Sequence, residues 1–197
     1  SMSADDDIMR ATWHALCATG YADLTMQDIA DESTKSKAAL HYHYDSKQDL
    51  LESFLDHITD RFLARVREAE ADAADDPEAR LGAVLDAALS PPGTDELEDL
   101  RTALLELKAQ APHEPAYRER LVEADEAFRT LLADVLEDGV DSGVFRSDLD
   151  IGQTALTVAT FFDGGQLRQV ANGEDCTTSR ERLDAYLDRC VYAEGER

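Results

Sequence analysis

Lysine is scarce in this sequence. Only Lys35, Lys37, Lys47 and Lys108 are lysine among 19 basic residues, set against 43 acidic ones, for a formal net charge of −24. So acidic a chain opposes long-range attraction to a nucleic acid, and any such contact must be made locally. The acids are spread along the chain, not gathered in a tail. They read either as ordinary solvated faces or as adaptation to a very salty cytoplasm, where salt removes the self-repulsion. Long apolar runs are also missing. None approaches the roughly 18–20 residues that a membrane span needs, and no charged–apolar–small leader opens the chain. A cytoplasmic protein without membrane partners is expected, with Ser1-Met2 read as a cloning remnant. Cysteine is limited to Cys17, Cys176 and Cys190. A structural zinc site needs four ligands, usually in two close pairs, so these read as reduced thiols, Cys17 on a buried helix face. A redox pair of Cys176 and Cys190 is a minor alternative. So is a metal sensor built from His14, His41, His43, His57 and His113, because His41 and His43 point apart at a spacing of two on a helix. No glycine-rich phosphate loop, nucleophile elbow or His-Glu zinc helix occurs. No catalytic residue, metal ligand or cofactor is therefore assigned, and the chain is not read as an enzyme.

Alternating strand patterns and hairpin signals are absent as well. The pattern throughout is helical, giving an all-α chain of about nine helices, three small ones and then six longer ones. The first spans Asp5–Thr19, with Asp5, Asp6 and Asp7 where a helix dipole favours negative charge. Ile8, Ala11, Thr12, Ala15 and Leu16 form its inward stripe. Gly20 stops it. Thr25 with Asp28 approximates a capping box for a second helix, and Ser36 caps a third that runs to about Tyr44. Ser46, paired with Asp49, caps a long fourth helix carrying Leu50, Leu51, Phe54, Leu55, Ile58, Phe62 and Val66. Pro77 opens the fifth, Ser90–Gly93 forms a loop, and a helix from about Asp95 carries Leu97, Leu100, Leu104 and Leu107. Pro115 opens the seventh. Asp148 is expected to cap an apolar eighth helix over Leu149–Ala171, and Thr178 with Glu181 to cap the last.

The stretch Thr25–Leu51 holds three of the four lysines. A helix-turn-helix lays one short helix in the DNA major groove while the preceding helix crosses the backbone. The groove, about 12 Å wide, admits one helix. Ser36–Tyr44 suits that role. Ala38 and Ala39 permit close approach, and Lys37 offers charge to a phosphate or a guanine edge. His41, Tyr42 and His43 can reach phosphates or base edges. Lys47, beside free N–H groups at the start of the fourth helix, makes a phosphate clamp. Thr25, Lys35 and Ser36 complete the expected DNA-binding set.

On Gly20-Tyr21, Thr25, Ile29-Ala30, Ser36-Lys37, Leu40, His41–Tyr44, Lys47 and Leu50-Leu51, the segment Ile8–Leu51 resembles the DNA-binding domain of the TetR family of transcriptional regulators. It departs at the turn, where that family carries glycine and then an apolar residue. Here Thr34 and Lys35 stand instead. Positive φ is costly for a β-branched residue, so either the turn differs or Thr34 avoids that conformation. Gly143, Phe145, Arg146, Asp148, Phe161, Asp163 and Gly164 are similar to the C-terminal part of the regulators resembling the choline-pathway repressor. The resemblance implies a DNA-binding domain over residues 3–47 and a ligand-binding and dimerisation domain over 48–197. It implies a homodimer on a palindromic operator, double-stranded DNA and an unknown small-molecule effector as partners, and a repressor released by ligand. The implied effector pocket draws on Phe62, Leu104, Tyr117, Phe128, Phe162 and Gln166, with Arg168 as another polar candidate. The implied dimer interface draws on Phe161, Gly164, Gly165, Leu183, Tyr186 and Leu187. A local kink within the chain is the other account of the glycine pair. The −24 charge and the irregular turn keep one alternative open: a helical ligand-binding or protein-interaction module without sequence-specific DNA binding.

Overall fold

The computed structural model describes residues 3–89 and 95–194. Ser1 and Met2, the loop expected over Ser90–Gly93 and the Leu97 side chain lie outside the described residues. Among the described residues the fold is all-α, with nine helices: α1 (Ala4–Thr19), α2 (Met26–Glu32), α3 (Lys37–His43), α4 (Lys47–Asp72), α5 (Pro77–Ala88), α6 (Asp95–Gln110), α7 (Pro115–Asp141), α8 (Ile151–Asn172) and α9 (Cys176–Cys190). They divide into two compact units, Ser1–Asp60 with Thr94–Val122, and Arg61–Gly93 with Glu123–Arg197. Helices α4 and α7 each contribute to both.

The first unit is organised on the α1 stripe. Ile8, Ala11, Ala15 and Leu16 are buried with Leu24, with Met26 and Ile29 of α2, and with Leu40 of α3. Leu50, Leu51, Phe54 and Leu55 of α4 close the core with Ala103 and Leu107 of α6 and Tyr117 of α7. Each fully buried Leu or Phe contributes roughly 1.5–3 kcal/mol. Short α2 and α3 thus owe their stability to packing, since isolated helices of this length do not persist in water. Cys17, expected to be buried, is only half-buried, because it flanks the α1 stripe.

The second unit packs Leu63 and Val66 of α4 with Leu81, Val84, Leu85 and Ala88 of α5. Phe128, Leu132, Val135 and Leu136 of α7, Ala155 and Val158 of α8, and Leu183 and Leu187 of α9 complete it. A short irregular segment follows α7. Gly143 takes φ +77° there, and the Phe145 ring lies so close over Gly139 that a Cβ on Gly139 would meet it at 2.1 Å. Phe145 also forms an isolated antiparallel bridge with Tyr192.

Two helix starts differ from expectation. Asp150, not Asp148, caps α8, accepting from the Gln153 N–H at 3.0 Å. Asp148 is instead held by Arg146 through two bonds of 3.0 and 2.9 Å, which removes it from the cap. Asp175, not Thr178, caps α9, accepting from the Thr177 N–H at 2.9 Å and its hydroxyl at 3.0 Å. Thr178 lies inside the helix. At α4, Ser46 accepts from the Asp49 N–H as expected, but the Asp49 carboxylate reaches back to the Asp45 N–H.

Candidate nucleic-acid interface

Helix α2 is fixed by a complete capping box. The Thr25 hydroxyl accepts from the Asp28 N–H, and the Asp28 carboxylate accepts from the Thr25 N–H at 2.8 Å and its hydroxyl at 2.7 Å. The Thr25 hydroxyl, then its N–H, holds the Asp28 carboxyl below its usual pKa. Helix α3 is capped by Ser36, whose hydroxyl accepts from the Ala39 N–H at 3.1 Å. Between them the turn is built without positive φ, which among the described residues only glycines adopt. Thr34 therefore avoids the costly conformation. The Ser33 hydroxyl accepts from the Lys35 N–H at 2.9 Å. The Thr34 N–H and hydroxyl both donate to one oxygen of Asp7, at 2.9 and 2.8 Å. Arg10 binds the other Asp7 oxygen at 3.1 Å and the Glu32 carbonyl at the end of α2, also at 3.1 Å.

Asp7 is thus a buried carboxylate serving the turn, not merely a helix-dipole charge. The Thr34 N–H, then the Thr34 hydroxyl, holds its pKa below the ordinary value, with Arg10 assisting and burial opposing. Asp7 falls at four-residue spacing before Ala11 and Ala15, on the inward stripe. That spacing is the sequence signal by which it stands apart from Asp5 and Asp6.

Leu40 alone anchors α3 at 0% exposure. Around it Lys37, Ala38, His41, Tyr42 and His43 are exposed, Ala39 and Lys35 half-buried, and Thr25 and Ser36 exposed. Tyr42 is 86% exposed, the most open large apolar side chain described, and meets His43 edge-on at 5.3 Å. Such a ring adds nothing to the core and is free to meet a partner. Lys47 is engaged within the chain: its ammonium donates to the Tyr21 carbonyl at 3.3 Å and lies 5.1 Å from the Tyr21 ring centroid. The Tyr21 N–H in turn donates to Glu106 of α6 at 2.5 Å, a link that sequence spacing does not signal.

The expected effector residues divide. Phe62, Phe128 and Phe162 form an aromatic trio with centroids 5.2–5.5 Å apart. Gln166 is half-buried one turn beyond Phe162. Leu104 and Tyr117 belong to the first unit, where they join or pack on its core, and the Tyr117 hydroxyl donates to the Gln48 carbonyl at 3.4 Å. Burial pushes the Tyr117 pKa well up. Arg168 is tied to Glu174. Gln169, which sequence reasoning passed over, has both amide heteroatoms buried without a hydrogen-bond partner among the described residues.

The expected dimer residues divide too. Leu183 and Leu187 are 0% and 1% exposed within the single chain. They belong to its own core, a correction to their reading as partner contacts. Gly165 is buried, and a Cβ there would stand 3.0 Å from the Ser179 Oγ, so its smallness serves the packing of α8 on α9. A Cβ on Gly164 would meet nothing within 4 Å. Phe161 and Tyr186 pack on each other at 5.8 Å and remain partly open. Leu156 and Leu167 of α8 are 44% and 48% exposed. Cys176 and Cys190 mark the two ends of α9, about 21 Å apart at 1.5 Å per residue, beyond the reach of a disulfide.

Comparison with known proteins agrees with this geometry. Residues 8–54 match the bacterial regulatory proteins of the tetR family. Residues 77–191 match the C-terminal region of BetI-type transcriptional repressors. The HTH-type transcriptional repressor KstR2 of Rhodococcus jostii is 30% identical over 135 residues, which are 67% of this chain and 63% of that protein. The chain thus spans just under two thirds of that curated relative. The crystal structure of a TetR transcription regulator from Haloarcula marismortui is similar at a TM-score of 0.88 and 40% identity, covering 95% of this chain and 98% of that one. A TetR-family regulator from a Rhodococcus species gives 0.79 and 26%, covering 94% and 97%. With a tetR-type helix-turn-helix at residues 8–54 and a BetI-type C-terminal region over more than half its length, this chain belongs to the TetR family of regulators.

Proposed function

We propose that this protein is a cytoplasmic, ligand-responsive transcriptional repressor, not an enzyme, that binds a palindromic operator as a homodimer. The observation that carries the reading is α3. It is a capped and braced helix held by one buried leucine, with Lys37, His41, Tyr42 and His43 turned to solvent. In the proposed complex this helix enters the major groove. Lys35, Ser36 and Lys47, whose ammonium keeps two donors beyond the one on the Tyr21 carbonyl, take backbone phosphates; Thr25 lies beside them with its donors held by Asp28, and Ala38 and Ala39 permit close approach. Two such helices about 34–36 Å apart would read the two half-sites. Residues 3–47 read DNA in this scheme, and residues 48–197 sense the effector and pair the subunits.

The effector seat proposed is the Phe62, Phe128 and Phe162 trio, with the Gln166 and Gln169 amides on the same face of α8 as polar anchors. An aromatic wall with a few convergent polar groups is typical of small-molecule sites. Phe62 lies on α4, the helix that starts at Lys47, so an effector held there acts on the element that carries the reading head. The transition is a population shift between DNA-competent and released states, limited by the differential affinity of the effector for the two. The pairing face proposed is the open side of α8, where Leu156, Gly164 and Leu167 fall on one stripe, with Phe161 and Tyr186 at its margin.

The acidic chain fits work at high salt. Specific binding then rests on close contacts, and its affinity should fall only shallowly as salt rises, unlike that of a basic repressor. A mobility-shift titration against DNA upstream of the chain's own gene tests the reading. A specific shift that effector candidates reverse is expected. No specific shift at any salt concentration overturns it and leaves a helical ligand-binding module.

A further inference from the structure

The segment joining α2 to α3, Ser33-Thr34-Lys35-Ser36, holds neither glycine nor proline. No residue type in it sets the chain direction by its own backbone limits. Thr34 is exposed, yet its N–H and hydroxyl are both occupied by the same Asp7 oxygen, across a sequence separation of 27. Asp7 is 4% exposed. Its other oxygen holds Arg10, and Arg10 also holds the Glu32 carbonyl at the end of α2. The start of α1 is thereby bonded to the end of α2 and to the turn that leads into α3. Leu40 is the one fully buried side chain of α3, which resists pulling away but not rotation about its own contact. The half-buried Tyr44 packs on the same core just beyond the C-terminal end of α3, and the Asp7–Thr34 pair supplies the fixed point on its N-terminal side that, with these contacts, sets its azimuth.

We propose that Asp7 is a positioning residue for DNA readout: through Thr34 and Arg10 it sets the orientation of α3 and hence which base edges His41, Tyr42 and Lys37 meet. This rests on the reading of α3 as the groove helix. Asp7 touches no DNA in this scheme. Its loss therefore lowers discrimination between sequences while leaving phosphate-borne, sequence-independent affinity in place.

The test uses the full-length protein with two fluorescent duplexes, one from the DNA upstream of its own gene and one of scrambled sequence. Asp7→Asn should lower the affinity ratio between them about tenfold, as expected for losing a charge-assisted bond. Thr34→Val, which removes the hydroxyl bond and keeps the N–H bond, should lower it by a smaller factor, and Thr34→Ser, which keeps both donors, should leave it at the wild-type value. The Asp7→Asn/Thr34→Val double variant should be no worse than Asp7→Asn, because both act through one contact. A ratio unchanged in Asp7→Asn, or additive losses in the double variant, overturns the proposal. Equal weakening on both duplexes marks a merely structural role and also overturns it. Amide hydrogen exchange of the DNA-free protein separates this claim from the functional reading. If the wild type prefers neither duplex, that reading fails, and exchange alone decides the clamp. Faster exchange in Asp7→Asn confined to Ser33–His43 supports it, and unchanged exchange there overturns it.

Discussion

Asp7 carries a charge in a place where a charge is expensive, and its hydrogen bonds settle the sign of its pH dependence. Its folded-state pKa lies below the ordinary carboxylate value, first because of the Thr34 N–H and then the Thr34 hydroxyl. A depressed carboxylate stabilises the fold fully above the unfolded-state value, and that contribution drains away as pH falls through the folded-state value. Wild type and Asp7→Asn should therefore differ in urea midpoint near neutral pH and converge in acid. A gap that widens on acidification would contradict this. Gln169 presents the opposite case, an amide buried with no hydrogen-bond partner among the described residues. Leaving such a group unsatisfied costs about 1–3 kcal/mol. Gln169→Leu should hold or raise the melting temperature of the effector-free protein and blunt any effector response. A clear loss of stability would show that the amide has a partner of its own in solution.

Glycine use separates the helices of the second unit. At Gly139 in α7 a Cβ would meet the Phe145 ring at 2.1 Å, so Gly139→Ala should displace the ring and cost about 3 kcal/mol or more in chemical denaturation. At Gly164 in α8 a Cβ has open space. Gly164→Ala should there add about 0.5–1 kcal/mol to chain stability and weaken self-association in analytical ultracentrifugation if α8 pairs with a partner. Equal destabilisation by both changes would remove the distinction. The helices themselves were legible in sequence, because runs such as Leu50, Leu51, Phe54 and Leu55 repeat at the helical period and are buried as it demands. Helix starts were less so. Asp148 and Asp150 are equally good caps by residue type, and the local pairing of Arg146 with Asp148, two positions on, decides between them. The α3 surface was legible because its residues are contiguous. The Asp7–Thr34 and Tyr21–Glu106 links were not, since their partners stand 27 and 85 positions apart.

For the molecule as a whole, charge is the governing quantity. Several arginines each bind two acids: Arg80 with Glu70 and Asp138, Arg120 with Glu52 and Asp56, and Arg180 with Asp86 and Asp184. Bridging spreads 19 bases over 43 acids, but a net −24 remains, and its self-repulsion is screened as the Debye length falls from about 10 Å at 0.1 M to about 3 Å at 1 M salt. The melting temperature should therefore rise over that range, and a fall would contradict the salt-adapted reading. The same charge makes DNA binding the claim most in need of direct test. Fluorescence anisotropy with the upstream duplex and its scrambled counterpart, comparing wild type with Lys37→Ala/Tyr42→Ala, provides it. Wild type should prefer the upstream duplex by at least about a thousandfold, and the double variant should lose most of that preference while keeping its fold. Equal affinity of the wild type for both duplexes, or an undiminished preference in the variant, would contradict the account.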